Sequence, residues 1–158
     1  MQTAVKGIIK AIVFVVQVAP LGTNISLARL LWAMVNGSFL VSRGAIHSGL
    51  LANEFAPGEI QRSWAALRYG CWEIDELLAS WQRYVASETQ WRARRYGGYR
   101  VKGVDITGFW RPHLGSAVSK HYHALAQKAL PAIVFGVMIS SGAIAGKRVP
   151  LLQAIVRC

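Results

Sequence analysis

Asp105 is the residue whose setting most suggests chemistry. It stands in Val104-Asp105-Ile106-Thr107-Gly108-Phe109-Trp110-Arg111-Pro112, a carboxylate inside an apolar, β-branched run. Burying such a group is costly unless a cation or hydrogen-bond donors meet it. Magnesium is a common reason for the placement, since it takes one or two carboxylates and keeps several waters. Paired ions about 4 Å apart stabilise the attacking and leaving oxygens of phosphoryl transfer. The competing reading is local, with Asp105 capping a turn at Thr107-Gly108. Spacing alone leaves both open. His121 and His123 alternate, so a strand there would put them on one face. No third ligand accompanies them, and surface or DNA-facing roles are preferred to a metal site. Cys71 and Cys158 lie far apart, with no CxxC and no Cys/His cluster, which supports neither zinc nor a disulfide framework and makes a reducing cytoplasm the default.

The elements that must position these residues fall into two regions. In the first, residues 1–90, Ile25, Leu27, Leu30, Leu31, Met34 and Val35 predict a helix over 24–36, ended by Asn36-Gly37. Ser42 is positioned to cap a second helix with Ala45, Ile46, Leu50 and Leu51 on its apolar face. Pro57 opens a third that carries Ile60, Trp64, Leu67 and Arg68, and Gly70 closes it. A fourth runs from about Trp72 to Ala86. Short helices with tight connections suit a helix-turn-helix arrangement, whose later helix enters the major groove. The candidate reader is Glu59 to Tyr69, offering Gln61, Arg62, Ser63 and Arg68 to bases or phosphates. A plain helical bundle with solvated arginines fits the same pattern.

After Ala86 the character changes. Trp91 to Tyr96 is a basic, aromatic run read as a linker, in which Arg94 and Arg95 are candidate DNA contacts. In the second region, residues 98–158, strands are predicted over Tyr99 to Ile106 and Ala132 to Ile139. Ser140-Ser141-Gly142 reads as a hairpin turn leading to a partner strand from Ala143. The fold class is therefore α+β, a helical helix-turn-helix-like region followed by a sheet.

Composition bounds the partners. Eighteen Lys and Arg against seven Asp and Glu give a net charge of +11, and 53% of residues are hydrophobic. A surplus of that size favours polyanions: DNA, RNA or an anionic membrane surface. The apolar start, Ile8 to Leu21, reads as a buried helix or strand, a membrane segment or a signal peptide. Its longest uninterrupted run after Lys10 is Ala11 to Val16, well short of the roughly 20 residues of a membrane span.

The Asp105 to Pro112 block, with Ser119-Lys120-His121-Tyr122-His123 and Gln127-Lys128-Ala129-Leu130-Pro131-Ala132-Ile133, resembles the opening of a DDE transposase catalytic domain. Ser42-Arg43-Gly44-Ala45, Arg62 to Leu67 and Gly97-Gly98-Tyr99 extend the resemblance over roughly residues 25–158. It implies an RNase H-like core whose first strand carries Asp105 as a catalytic, metal-binding carboxylate, with a hairpin following. It also implies Mg²⁺ as cofactor, and Arg111, Lys120, His121, His123 and Lys128 as contacts to DNA phosphate or the active-site cleft. The expected activity is phosphodiester cleavage and strand transfer at the terminal repeats of a mobile element. A homo-oligomer associated with the nucleoid in the cytoplasm is the expected setting.

The chain departs from that pattern in its acids. No Asp or Glu follows Asp105, and the other Asp, Asp75, lies in the helical region. A single carboxylate cannot clamp two ions. The expectation is thus a truncated, incomplete RNase H-like core that does not catalyse alone. The alternatives are a DNA-binding remnant and a small basic membrane-associated protein using residues 8–21 and 130–145.

Overall fold

The computed structural model describes residues 2–87, 90–110 and 119–158. It is α+β, with one unit, residues 1–84, built of α-helices, and another, residues 85–158, holding all the described strands.

The helical unit opens with α1 (Gln2–Val16) and α2 (Thr23–Val35), followed by two short helices, α3 (Ser38–Val41) and α4 (Ile46–Leu51). Then come α5 (Pro57–Tyr69) and α6 (Ile74–Ser87), the latter crossing the unit boundary. The apolar opening segment is thus a helix, and among the described residues no helix is long and apolar enough to cross a membrane. One cluster forms the core: Ile12, Val16 and Ala19 from the first helix and its turn, Leu27, Leu30 and Ala33 from α2, Leu50 from α4 and Ile60 from α5. These recur at helical spacing, so each helix buries one stripe. Pro57 occupies the first turn of α5 and Gly70 follows its last residue, as the sequence predicts. Ser42 does not cap the next helix. It ends α3, and its hydroxyl donates to the carbonyl of Ala45 at 3.0 Å.

In the second unit, β6 (Lys128–Ser140) is the central strand of a four-stranded antiparallel sheet. Strand β4 (Lys102–Trp110) runs along one side of it, from Lys102 opposite Ser140 to Trp110 opposite Ala132. Its other side pairs with β9 (Leu151–Arg157) over Phe135 to Ser140 and with β5 (Ser119–His123) over Lys128 to Ala132. Among the described residues Pro131 pairs only with Lys120 of β5.

Two smaller ribbons complete the unit. Strands β2 (Arg95–Tyr96) and β3 (Tyr99–Arg100) form a hairpin around Gly97-Gly98. Strands β1 (Arg92–Ala93), β7 (Gly142–Ile144) and β8 (Lys147–Arg148) form a second sheet. Two expectations change here. Residues 140–142 are not a hairpin turn, because β7 pairs with β1 and β8 while β6 takes β9 as its partner. The run from Trp91 to Tyr96 is not a linker, because it supplies β1 and β2.

Candidate functional site

Asp105 lies in the middle of β4, opposite Val137, which in turn faces Ile155 on β9. Thr107 and Gly108 continue the strand, so the turn-cap reading does not hold. The Asp105 carboxylate is exposed, and one of its oxygens accepts from the backbone N–H of Ile106 at 2.8 Å. Among the described residues no group of three His, Cys, Asp or Glu comes together. The described residues put a single carboxylate on this sheet, too few to clamp a magnesium pair.

The strand register separates residues that the sequence grouped. Alternation along β6 puts Asp105, opposite Val137, and Lys120, opposite Pro131, on one face of the sheet. Those two positions are six residues apart along β6, roughly 20 Å. His121, His123 and Lys128 belong to the other face. There the Trp110 ring packs against both imidazoles, with centroids 5.8 Å and 4.5 Å away, and its indole N–H donates to the His121 carbonyl at 3.2 Å. His123 Nδ1 accepts from the Ala126 N–H at 3.1 Å, an acceptor role that only an unprotonated nitrogen performs. His121 and His123 are thus half-buried packing partners of Trp110. Lys120 and Lys128 are exposed. Arg111 lies outside the described residues.

The helical unit brings its candidates together on α5. Gln61, Ala65 and Arg68 recur along its exposed side at i, i+4 and i+7, with Arg62 beside them. The Arg68 guanidinium lies over the Tyr69 ring at 5.3 Å. Ser63, offered by the sequence as a base contact, is fully buried and cannot reach DNA. Short α4, the connection 52–56 and longer α5 follow one another in the chain, with the exposed stripe on the second helix.

The start of α5 is fixed by charge. Glu59 accepts from the Ala56 N–H at 3.0 Å, which is half of a capping box, and pairs with Arg29 of α2 at 2.5 Å. The Ala56 N–H first, and Arg29 after it, hold the Glu59 carboxyl below its ordinary range. A depressed carboxylate stabilises the fold above its unfolded pKa, and that contribution is lost as pH falls through the folded one. Stability should therefore decline from about pH 4–5 downward. Glu59→Gln is expected to lower stability at neutral pH and to flatten that acid limb, as read by urea unfolding at several pH values. An unchanged acid limb would remove Glu59 as its cause.

Sequence reasoning missed Arg92, Arg100, Lys147, Arg148, Tyr96 and Tyr99, all exposed on the two ribbons beside Arg95. The signal available was Gly97-Gly98, which sets a hairpin register that makes Arg95 face Arg100. No family model, curated protein or solved structure matches this chain.

Proposed function

We propose that this chain is a DNA-binding protein of transposase type. In this reading α5 enters a major groove, and the sheet is the opening of an RNase H-like core. The observation that carries the reading is the exposed stripe of Gln61, Arg62 and Arg68 on α5, read as the later helix of a helix-turn-helix, in a chain of net charge +11. Side chains of these types bond base edges and phosphates. Further support comes from β4, which holds an exposed Asp105 at mid-strand and pairs antiparallel with β6, itself paired with β9.

With one carboxylate on the sheet, the chain binds DNA without cutting it. A partner supplying further acids would be needed for Mg²⁺-dependent strand transfer at terminal repeats. Association with the nucleoid follows from the same charge.

The test is fluorescence anisotropy of the full chain with labelled duplex DNA at increasing salt. Affinity is expected to fall steeply with salt, because neutralised phosphates release counterions. Arg62→Ala with Arg68→Ala should weaken binding and reduce the magnitude of the salt slope by about 2. No binding at about 50 mM salt would overturn the reading. Cleavage by the isolated chain that Asp105→Asn abolishes would overturn its non-catalytic part.

A further inference from the structure

The β unit concentrates positive charge on its two ribbons. Between Gln90 and Val104 the chain carries Arg92, Arg94, Arg95, Arg100 and Lys102, and between Ser140 and Pro150 it adds Lys147 and Arg148, with no acidic residue in either stretch. Register brings these cations together. Arg95 lies directly opposite Arg100 in the β2–β3 hairpin. Arg92 and Arg148 flank Ala143 from either side, in one row across the second sheet. Like charges directly opposite one another destabilise a strand pair. Among the described residues no carboxylate pairs with any of these four arginines. The Arg95 guanidinium donates instead to the Gly98 carbonyl at 2.9 Å.

The ribbons are also built to hold their shape. Gly97 and Gly98 both have positive φ, 55° and 85°, as a two-residue hairpin turn of the primed type requires. Ala145 and Gly146 do the same for β7–β8, at 48° and 79°. The ribbons are tied together by the Arg94 N–H donating to the Ser141 carbonyl at 3.0 Å and the Ser141 N–H donating to the Val101 carbonyl at 3.0 Å. The Trp91 indole N–H adds a bond to the Val149 carbonyl at 2.9 Å. At the tip of the first hairpin, Tyr96 and Tyr99 face each other with 49% and 80% of their surface exposed. Their hydroxyls are further donors for an anionic partner.

We infer that the paired ribbons, through Arg92, Arg95, Arg100 and Arg148, form a second DNA contact that grips the phosphate backbone of a duplex. A two-stranded ribbon fits a DNA groove, and phosphate neutralisation removes the like-charge cost that the register creates. The inference rests on the DNA-binding reading but assigns it a surface independent of α5.

The experiment uses the full chain and a random-sequence labelled duplex between about 50 and 200 mM salt. At about 0.9 per phosphate contact, Arg95→Ala with Arg100→Ala should cut the magnitude of the salt slope by about 1.8, and Arg92→Ala with Arg148→Ala by a similar amount. Arg95→Lys with Arg100→Lys should retain the slope, which separates lost charge from lost fold. Wild-type slope and affinity in both alanine pairs would overturn the inference, while a slope reduced only in the α5 variants would leave the α5 reading standing. Slope lost in the ribbon pairs but not in the α5 variants would uphold the ribbons and remove α5 as the reader. Failure of the unaltered chain to bind would remove both. Tighter binding to a single strand that Tyr96→Ala with Tyr99→Ala abolishes would overturn the duplex assignment in favour of base stacking.

Discussion

Leu50→Ala is expected to cost the helical unit about 2–5 kcal/mol. Leu50 has no exposed surface and sits within the core cluster shared with Leu27, Leu30, Ala33 and Ile60. Its helix, α4, has six residues, far below the length at which an isolated helix holds itself together. Packing of Leu50 is therefore what keeps α4 in place. The consequence reaches function, because α4 and the connection after it set where α5 begins. Urea unfolding followed by helical circular dichroism should show the midpoint falling sharply. The neighbour Leu51 is 55% exposed, and Leu51→Ala should change stability by no more than about 0.5 kcal/mol. Similar losses from both would mean that the core is not centred where the burial places it.

The contrast between those adjacent leucines shows what sequence could supply. Periodicity found α2 and α5 but placed their faces only in part: Leu27, Leu30 and Ile60 are buried, whereas Ile25, Met34, Val35 and Trp64 are exposed. Pro57 and Gly70 marked the ends of α5, because these signals act within a few residues. Helix α3 gave none, since four residues are too few to display a period. Ser63 misled by type: a hydroxyl reads as a surface group, yet the helical spacing of Ile60, Ser63 and Ala66 puts it on the buried side. In the β unit the sequence showed parts of β4, β6 and β7, while β1, β2, β8 and β9 and all the partners escaped it. Ser140-Ser141-Gly142 has hairpin composition, but the tight turn forms at Ala145-Gly146, where a non-glycine adopts positive φ. Pairing of β6 with β9 depends on contacts distant in sequence, which no local pattern encodes. The candidate site was legible only in part. Asp105 stood out by type against its neighbours, whereas the facing arginines become visible only once the register is known.

A second large effect is expected at Gly142, which lies against Trp91. A Cβ there would fall 2.2 Å from Cε2 and Cζ2 of the Trp91 ring, inside any tolerated contact. The indole would have to move, and its bond to the Val149 carbonyl would go with it. Gly142→Ala should therefore cost the β unit about 1–3 kcal/mol from overpacking, with about 1 kcal/mol more for the lost hydrogen bond. A double-mutant cycle distinguishes this cause from a general intolerance of β7. In a Trp91→Ala background the space is vacant, so adding the Gly142→Ala methyl should cost little, and the coupling should exceed about 1 kcal/mol. The same variant tests the link from packing to binding. With Trp91 displaced, β1 loses its anchor beside β7, the row of Arg92, Ala143 and Arg148 loosens, and the DNA salt slope should fall by the share assigned to that row. Arg62 and Arg68 should keep their own share, since they belong to the other unit. Equal costs for Gly142→Ala in both backgrounds would show that the Trp91 ring is not what the glycine accommodates.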